Sequence, residues 1–425
     1  VAARPNPVLL PPSPEPLVLA PDQTVVTITF DDGRASNTTA ANLLHTHGLS
    51  GTFFLNSGNI SKPGYLTLPQ VDTIAQEGQE IAGHTVNHPH LNELSDAEIA
   101  RQVCGDRDNW LAWGFPIRNF AYPFGYTTPE AAQIVRACGY NSARTLGDVS
   151  LDDPPSIPCQ MCDLVETVPP VDPMDTRAPA EVRDNWNLGE LQTQVDVVSS
   201  NGGGWLQLTF HGICPTDCSD ITTNQDTFDQ FLAWLADEQA QGHLIVRTVG
   251  DVIGGPVAPP AQAPPPTTKL VNPGLEEAQD GVPSCWTAAS YGNNKPEFSM
   301  VPTADGTMAE RLVMRDYVDG DAKLLPTEDL GTCSIAVEPG STPTIAAWYT
   351  STVPTRFSVQ YRMQRGRWIY GIGSLVFQPA TAWTLARWTM PPIPDGVTAV
   401  SFGLALTSNG ELVTDDYSLT NSLHS

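Results

Sequence analysis

Seven β-rich runs punctuate the sequence between Val25 and Val252: "VVTITF", "GTFFLNSG", "QEIAGHT", "IRNFAYPFG", "YNSARTL", "GWLQLTFHG" and "HLIVRTV". Amphipathic stretches such as "TPEAAQIVRACG" and "DTFDQFLAWLADEQAQG" lie between several of them, the second ending at Gly242, a helix stop. Strands separated by helices pair in parallel, because the crossover returns the chain to the same end of the sheet. Seven candidate strands over about 230 residues predict an α/β barrel of a distorted (β/α)7 type rather than an open sheet. The alternation stops at "GGPVAPPAQAPPPTTK", where the prolines and the lack of periodicity predict a semi-rigid spacer. Beyond it "RFSVQYRMQ", "WTLARWTM" and "AVSFGLAL" alternate between turn residues, which predicts an all-β sandwich of antiparallel sheets. The expected organisation is a proline-rich tail over 1–23, the barrel over 24–253, a linker over 254–269 and the sandwich over 270–425.

A net charge of -26 argues against a nucleic-acid partner, since phosphate binding needs a basic face. The acidity is read as solubility, or as attraction to a cationic polymer. No apolar run reaches the roughly 20 residues of a membrane span. The start, "VAARPNPVLLPPSPEP", has neither a basic n-region nor an apolar h-region, so a mature, secreted, monomeric chain is expected. Eight cysteines, an even number, suit disulfides in an exported protein. Cys104, Cys138, Cys159, Cys162, Cys214 and Cys218 precede the proline-rich stretch, and Cys285 and Cys333 follow it. Cys104 with Cys138 and Cys285 with Cys333 make plausible pairs. "CQMC" and "CPTDC" offer two hooks of a four-thiolate zinc site, against which the exported context favours disulfides.

The run Val25 to Phe30 ends in "DDG". Adjacent carboxylates there are either turn punctuation or a site where one holds a cation and its neighbour moves protons. "AGHTVNHPHLNELS" bears on the choice. His84 and His88 are four apart, so one turn of helix or a tight loop aims both imidazoles at one point. With an aspartate they make a two-His, one-carboxylate metal site that leaves positions open for water and substrate. His45 and His47, two apart, fall on different faces of a helix end and are expected to be solvated, as is His90.

"TFDDG", "HTVNHPHL", "YPFG" and "LTFH", in that order, resemble the NodB-like polysaccharide deacetylases, carbohydrate esterase family four. The resemblance covers roughly Thr24 to Val252, a little over half of the chain. It implies a distorted barrel with a divalent metal, zinc in most members, in a groove at the strand ends. The implied activity is removal of acetyl groups from amino sugars in glycans, or in some members from acetylated xylan. By position, Asp32, His84 and His88 match the metal ligands and Asp31 the general base. His211 matches the histidine that protonates the leaving amine, and the backbone N–H of Phe124 the oxyanion donor. An amide carbonyl is a poor electrophile, so it needs polarisation by a metal and an activated water. The amine leaves badly unless protonated, and an imidazole suits that task. Many members carry an arginine that orients the base, where this chain has Ala121. Arg144, in "YNSARTL", is the candidate replacement, against a plain structural arginine. Asp148 is a loose candidate for the acidic partner of His211. "FAYPFG" is similar to the branch acting on exopolysaccharide amino sugars.

The ends of the second region, "NPGLEEAQDGVPSCW" and "DDYSL", resemble jelly-roll carbohydrate-binding modules, with Leu275 in place of the usual aromatic residue. Such modules commonly hold a structural Ca2+, to which Glu276 and Asp416 could offer oxygens; the alternative is a pair of surface carboxylates. Trp348, Trp368 and Tyr370 are candidates for stacking on sugar rings, or for the core. Trp383 and Trp388 are assigned to the core. Together these features point to a secreted, Zn2+-dependent deacetylase of an acetylated amino-sugar polysaccharide. Acetyl xylan esterase is the alternative enzyme, and a non-catalytic glycan-binding protein the alternative from another class.

Overall fold

The computed structural model describes residues 14–149, 165–304 and 306–420. The chain divides into two compact units, Val1–Ala263 and Pro264–Ser425.

In the first unit the seven expected runs all form strands. They are β1 (Thr24–Phe30), β2 (Thr52–Leu55), β3 (Glu80–Gly83), β4 (Asn119–Ala121), β5 (Ser142–Arg144), β6 (Gly204–Phe210) and, further on, β9 (Leu244–Val246). Two short strands that the sequence did not suggest, β7 (Gly212–Cys214) and β8 (Thr222–Asn224), make a separate parallel pair. The main sheet is parallel throughout, in the order β5-β4-β3-β2-β1-β6. β1 is its hub. One edge pairs with β6 along all seven residues; the other gives Thr24–Val26 to β9 and Thr29–Phe30 to β2.

Every residue of β1 is buried, as a strand covered on both faces requires. Its side chains alternate. Val26, Ile28 and Phe30 join the large core shared with the helices, whereas Val25 joins a smaller cluster with Phe54, Ala82, Ala121 and Trp205. Thr27 and Thr29 share that inner parity and are tied to the neighbouring β6, Thr27 Oγ1 accepting from Trp205 Nε1 (2.8 Å) and Thr29 Oγ1 donating to Thr209 Oγ1 (3.2 Å). Between β5 and β6 no strand completes the ring among the described residues. Residues 166–182 bridge the gap instead, through Ala143 N to Pro173 O (2.8 Å), Thr176 N to Ala143 O (2.8 Å), Trp205 N to Glu166 O (2.8 Å) and Val182 N to Thr209 O (2.8 Å). Both open edges are thereby satisfied without regular structure.

The helices α1 (Asn37–Thr46), α2 (Leu68–Gln76), α3 (Asp96–Ala112), α4 (Pro129–Ala137), α5 (Leu188–Ser200), α6 (Gln225–Gln241) and α7 (Val249–Ile253) occupy the crossovers. Their starts are written in local chemistry: Ser95, Thr128, Asn187, Asn224 and Thr248 each accept from a first-turn N–H. Described residues of the proline-rich stretches at both ends of the unit bond to its body. Leu17 N donates to Val252 O (3.0 Å), and Leu17 and Leu19 pack on the inner cluster beside α7. Proline carbonyls in such a stretch are unused acceptors. Arg107 takes Ala258 O (2.5 Å) and Pro259 O (3.1 Å), and Asn141 takes Gly254 O and Pro256 O. The disulfide Cys104–Cys138 joins α3 to the end of α4, and Cys214–Cys218 closes the loop after β7. Cys159 and Cys162 lie outside the described residues.

The second unit is all β, with antiparallel sheets of six and five strands enclosing one core. Cys285–Cys333 joins the start of the first sheet to a later loop. Leu275 is fully buried in the core. Trp383, expected in the core, is 40 % exposed, because in the strand Ala380–Thr389 it lies on the outward parity opposite Ala386. Trp388 packs against the core, and Trp368 is partly buried with its Nε1 on Asp329 O (3.2 Å). Trp348 and Tyr370 are exposed. Glu276 and Asp416 both lie beside Gly274, and Glu276 Oε1 already accepts Met308 N (2.9 Å). Neither belongs to a cluster of three candidate ligands among the described residues.

Glu310 is buried in this unit with one carboxyl oxygen unpartnered among the described residues, and burial pushes its carboxyl up to about 8. In the unfolded chain a glutamate titrates near about 4.3. The folded state therefore holds the proton to higher pH, so its stability falls as pH rises between those values, by up to about 1.4 kcal/mol per pH unit. Glu310→Gln is expected to raise the midpoint of thermal unfolding at pH 8, with the gain fading below about pH 4.5.

Candidate active site

In a parallel barrel, residues at the C-terminal ends of the strands face one mouth. Asp31 follows β1, His84 follows β3, Arg144 ends β5 and His211 follows β6. By the period of two, all four carry the inner parity set by Val25, Ala82, Ser142 and Trp205. They line or flank a cavity of about 700 Å³, which Asp32, His88, Phe124 and Tyr126 also line.

The paired carboxylates diverge because the chain turns between them. Asp32 (φ 72°) and Gly33 (φ 77°) are both left-handed, and Gly33 N returns to Asp31 O (3.0 Å). Only glycine takes that region freely; at Asp32 it costs about 1–2 kcal/mol. Thr85, His88 and Phe124 are left-handed too, with φ of 69°, 58° and 59°. Four strained non-glycine residues around one cavity mark a site whose geometry is imposed by its surroundings.

Asp31 points inward onto Arg144, with Arg144 Nη2 2.5 Å from Asp31 Oδ2 and both side chains almost fully buried. Arg144 Nη1 donates to Thr209 Oγ1 (2.7 Å), and its guanidinium lies over the Phe54 ring at 5.2 Å. Arg144 thus reaches from β5 the Asp31 carboxylate that Ala121, its register partner on β4, is too short to reach. Burial alone would push the Asp31 carboxyl up, but Arg144, His84 and His211 hold it below the ordinary carboxylate value.

Asp32 faces the histidines: Oδ1 is 3.3 Å from His88 Nε2 and 3.8 Å from His84 Nε2. These three ligand atoms lie within 4.8 Å of one another. Tetrahedral zinc with ligand bonds of about 2.0–2.1 Å spaces its ligands about 3.3 Å apart, so the donor set fits such an ion. The tautomers fit as well. His84 Nδ1–H donates to Ala121 O (2.7 Å), which leaves the Nε2 lone pair toward the cluster. Burial pushes the His84 imidazole down, and burial with the neighbouring His84 takes His88 to about 4, so both rings are neutral at neutral pH.

Several supports were not foreseen. Arg34 donates to Asp32 Oδ2 through Nη2 (3.1 Å) and Nε (3.3 Å), which orients the other oxygen toward the histidines. Asp106 on α3 accepts Ser57 N (2.9 Å) and His84 N (3.1 Å), clamping the ends of β2 and β3 together. Burial takes its carboxyl up to about 8. Any side chain at Gly83 would strike Tyr140 Oη at 2.2 Å and this aspartate at 3.0 Å, hence the glycine before His84. Arg34 adjoins "DDG" and could have been singled out; Asp106 sits mid-helix with nothing local to flag it. The Phe124 ring stacks on His90 (3.7 Å, 9°) and meets His88 edge-on, so His90, though exposed, braces one wall. Asp148 does not serve His211: its oxygens accept Thr145 Oγ1 (2.6 Å) and Ala178 N (3.1 Å). His211 Nδ1 is buried and without a partner among the described residues. His45 and His47 stay apart from the site, on Glu77 O and Asp229.

Residues 19–143 match the family model described as polysaccharide deacetylase. The N-terminal unit therefore carries a polysaccharide deacetylase domain of the NodB type. A peptidoglycan-N-acetylglucosamine deacetylase of Bacillus cereus is 26% identical over 123 residues, 28% of this chain and 56% of that protein. A chitooligosaccharide deacetylase of Azorhizobium caulinodans is 28% identical over 124 residues, again 28% of this chain and 56% of that protein. The chain spans about half the length of these curated relatives. The solved structure of peptidoglycan deacetylase PdaC from Bacillus subtilis is 20% identical, covering 54% of this chain and 90% of that one with a TM-score of 0.34. At that score the likeness carries no weight, and the fold rests on the strand order.

One divalent ion per chain is expected on metal analysis. His84→Ala or Asp32→Ala should weaken it more than the 10–100-fold usual for supporting residues, and Arg34→Ala by about tenfold, in competition with a chromogenic chelator. His45→Ala should leave it unchanged.

Proposed function

We propose that this chain is a metal-dependent, secreted carbohydrate deacetylase that hydrolyses N-acetyl groups of amino-sugar polymers of the chitin, peptidoglycan or exopolysaccharide type. The observation that carries this reading is the juxtaposition of the buried Asp31–Arg144 pair with the Asp32, His84, His88 cluster at one barrel mouth. The family match and the amide substrates named for the relatives support it. The disulfides favour an oxidising, extracellular setting. No helix among the described residues is long and apolar enough to cross a membrane.

Asp32, His84 and His88 would hold a divalent ion, zinc by donor type, which supplies polarisation of the acetyl carbonyl and acidification of water. Asp31 stays ionised beside the Arg144 guanidinium and takes the proton of the attacking water. Arg144 fixes that carboxylate in place, its Oδ2 also lying 4.0 Å from His84 Nε2. His211, which lines the same cavity, would give a proton to the departing amine nitrogen. The backbone N–H of Phe124 stands at the cavity wall as the candidate donor to the developing oxyanion. Phe124 and Tyr126, both exposed, present flat apolar surfaces to a sugar ring. The C-terminal sandwich is read as a carbohydrate-binding unit.

Acetate release from a panel of acetylated glycans, with and without chelator, tests the reading. Asp31→Asn is expected to lower kcat by about 10³–10⁴ and His211→Ala by about 10². Arg144→Ala should lower kcat by about 10² and, by removing the cation that depresses the Asp31 pKa, move the acidic limb of the pH profile upward. An Arg144→Ala enzyme with unchanged turnover and pH profile would make Arg144 purely structural. Release from acetylated xylan alone would favour the esterase alternative. If zinc-replete protein released no acetate from any glycan yet still bound one, the non-catalytic reading would replace this one.

A further inference from the structure

On the outer face of the six-stranded sheet of the second unit lies a cavity of about 540 Å³ whose residues the reaction does not use. Its lining comes from alternate positions of neighbouring strands: Ala289 and Tyr291, then Asp321, Lys323 and Leu325, then Arg356, Ser358 and Gln360, with Tyr370 beyond. The residues between them, Leu324, Phe357, Val359 and Tyr361, face the core. The middle strand, Val397–Leu406, sets small residues opposite the third group, with Ala405 opposite Arg356, Gly403 opposite Ser358 and Ser401 opposite Gln360. Cross-strand pairs share a face, so this strand forms a low floor and the cavity becomes a trough. The strands carrying Tyr291 and Tyr370 are the outer ones of the path, four spacings or about 19 Å apart.

The trough is unfinished as a piece of protein. Tyr291 and Tyr370 are 68% and 59% exposed at its two ends, flat rings with nothing stacked on them among the described residues. Ser358 is 3% exposed, yet its Oγ has no hydrogen-bond partner among the described residues. A buried hydroxyl left unpaired is costly, and a ligand reaching it would recover that cost. The side chains of Arg356 and Gln360 likewise make no hydrogen bond among the described residues. Lys323 Nζ is 2.6 Å from Asp321 Oδ1, and the pair is nearly buried. With Arg356 and Glu328 the lining carries two cationic and two anionic side chains, so it is electrically balanced.

We propose that this trough is a saccharide site, and that it takes the acetylated, uncharged form of the polymer rather than the deacetylated, cationic form. The proposal rests on the reading that the chain acts on acetylated glycans. Sugar rings have apolar faces that suit the exposed tyrosines and hydroxyl edges that suit Ser358 and Gln360. An acetamide adds a carbonyl acceptor for the Arg356 guanidinium. A deacetylated residue offers an ammonium there instead, against the Arg356 guanidinium. The trough would then hold substrate and let product go. Another cavity of this unit is lined by Trp348, Trp383, Asp415 and Asp416, with no cationic side chain in its lining among the described residues.

The full chain, in chelator to stop turnover, is titrated calorimetrically with an N-acetylglucosamine hexamer, its fully deacetylated counterpart and an oligouronate. The acetylated hexamer is expected to bind at two sites. Tyr291→Ala with Tyr370→Ala should abolish one of them or weaken it at least about tenfold, and Ser358→Ala should weaken the same site. Unchanged thermal unfolding of these variants, together with unchanged acetate release from the soluble hexamer in zinc, would tie the loss to the trough. Equal or tighter binding of the deacetylated oligomer or the oligouronate at that site overturns the proposed class. Binding that survives the tyrosine substitutions but falls with Trp383→Ala overturns the location. A parent chain that releases no acetate yet loses a binding event with the tyrosines refutes the deacetylase reading and leaves the trough as a saccharide site.

Discussion

The ion pair between Arg144 and Asp31 is the contact on which the barrel mouth depends. A carboxylate buried to this degree would give up its charge without a cation beside it, and a guanidinium left alone there would be as costly. Removing one partner of such a pair typically costs about 3–5 kcal/mol, because the other stays buried and uncompensated. The pair is held from several sides: Thr209 takes the second guanidinium nitrogen, Phe54 lies beneath the plane, and residues 173–176 bond to β5 where no strand does. β1, β5, β6 and the bridging segment therefore meet at one interaction. It keeps Asp31 ionised and directed away from Asp32, so that two neighbouring carboxylates hold different roles.

The site's geometry follows from a few rules of backbone. Strand parity decides which residues look inward, and the parallel arrangement decides that their C-terminal ends open on the same side. What parity cannot do is place Asp32 and His88, which lie past the strand ends. Left-handed turns at Asp32, Thr85, His88 and Phe124 do that, each against its intrinsic preference. The strain is sustained by the helix behind the site, where Asp106 fixes the His84 and Ser57 amides, and by a glycine that lets Tyr140 approach.

The second unit uses the same period of two for a different end. One parity builds its core; the other leaves a polar trough with a tyrosine at each end and an unpaired serine in its floor. In the first unit, carbonyls of the proline-rich stretch after α7, unmatched by N–H groups of their own, are taken by Arg107 and Asn141.

Much was legible in the residues alone. The seven runs of β-branched and aromatic residues are the seven barrel strands, since strands buried on both faces need continuous apolar composition. The loss of helical period beyond Leu270 marks the antiparallel unit. "DDG" and the His84–His88 spacing announced a cluster, because ligands close in sequence need only a local turn to converge. Other features were hidden. Trp383 reads as core by its chemistry, and only the register of its strand exposes it. Asp148 reads as a loose candidate for the acidic partner of His211, and the fold turns it to Thr145 and Ala178. Sequence by itself determined the strands, the turns and the chemical types gathered at their ends. The tertiary structure alone decided that Arg144, 113 residues from Asp31, would supply the cation Ala121 cannot, because closure of a barrel brings together strands that sequence keeps apart.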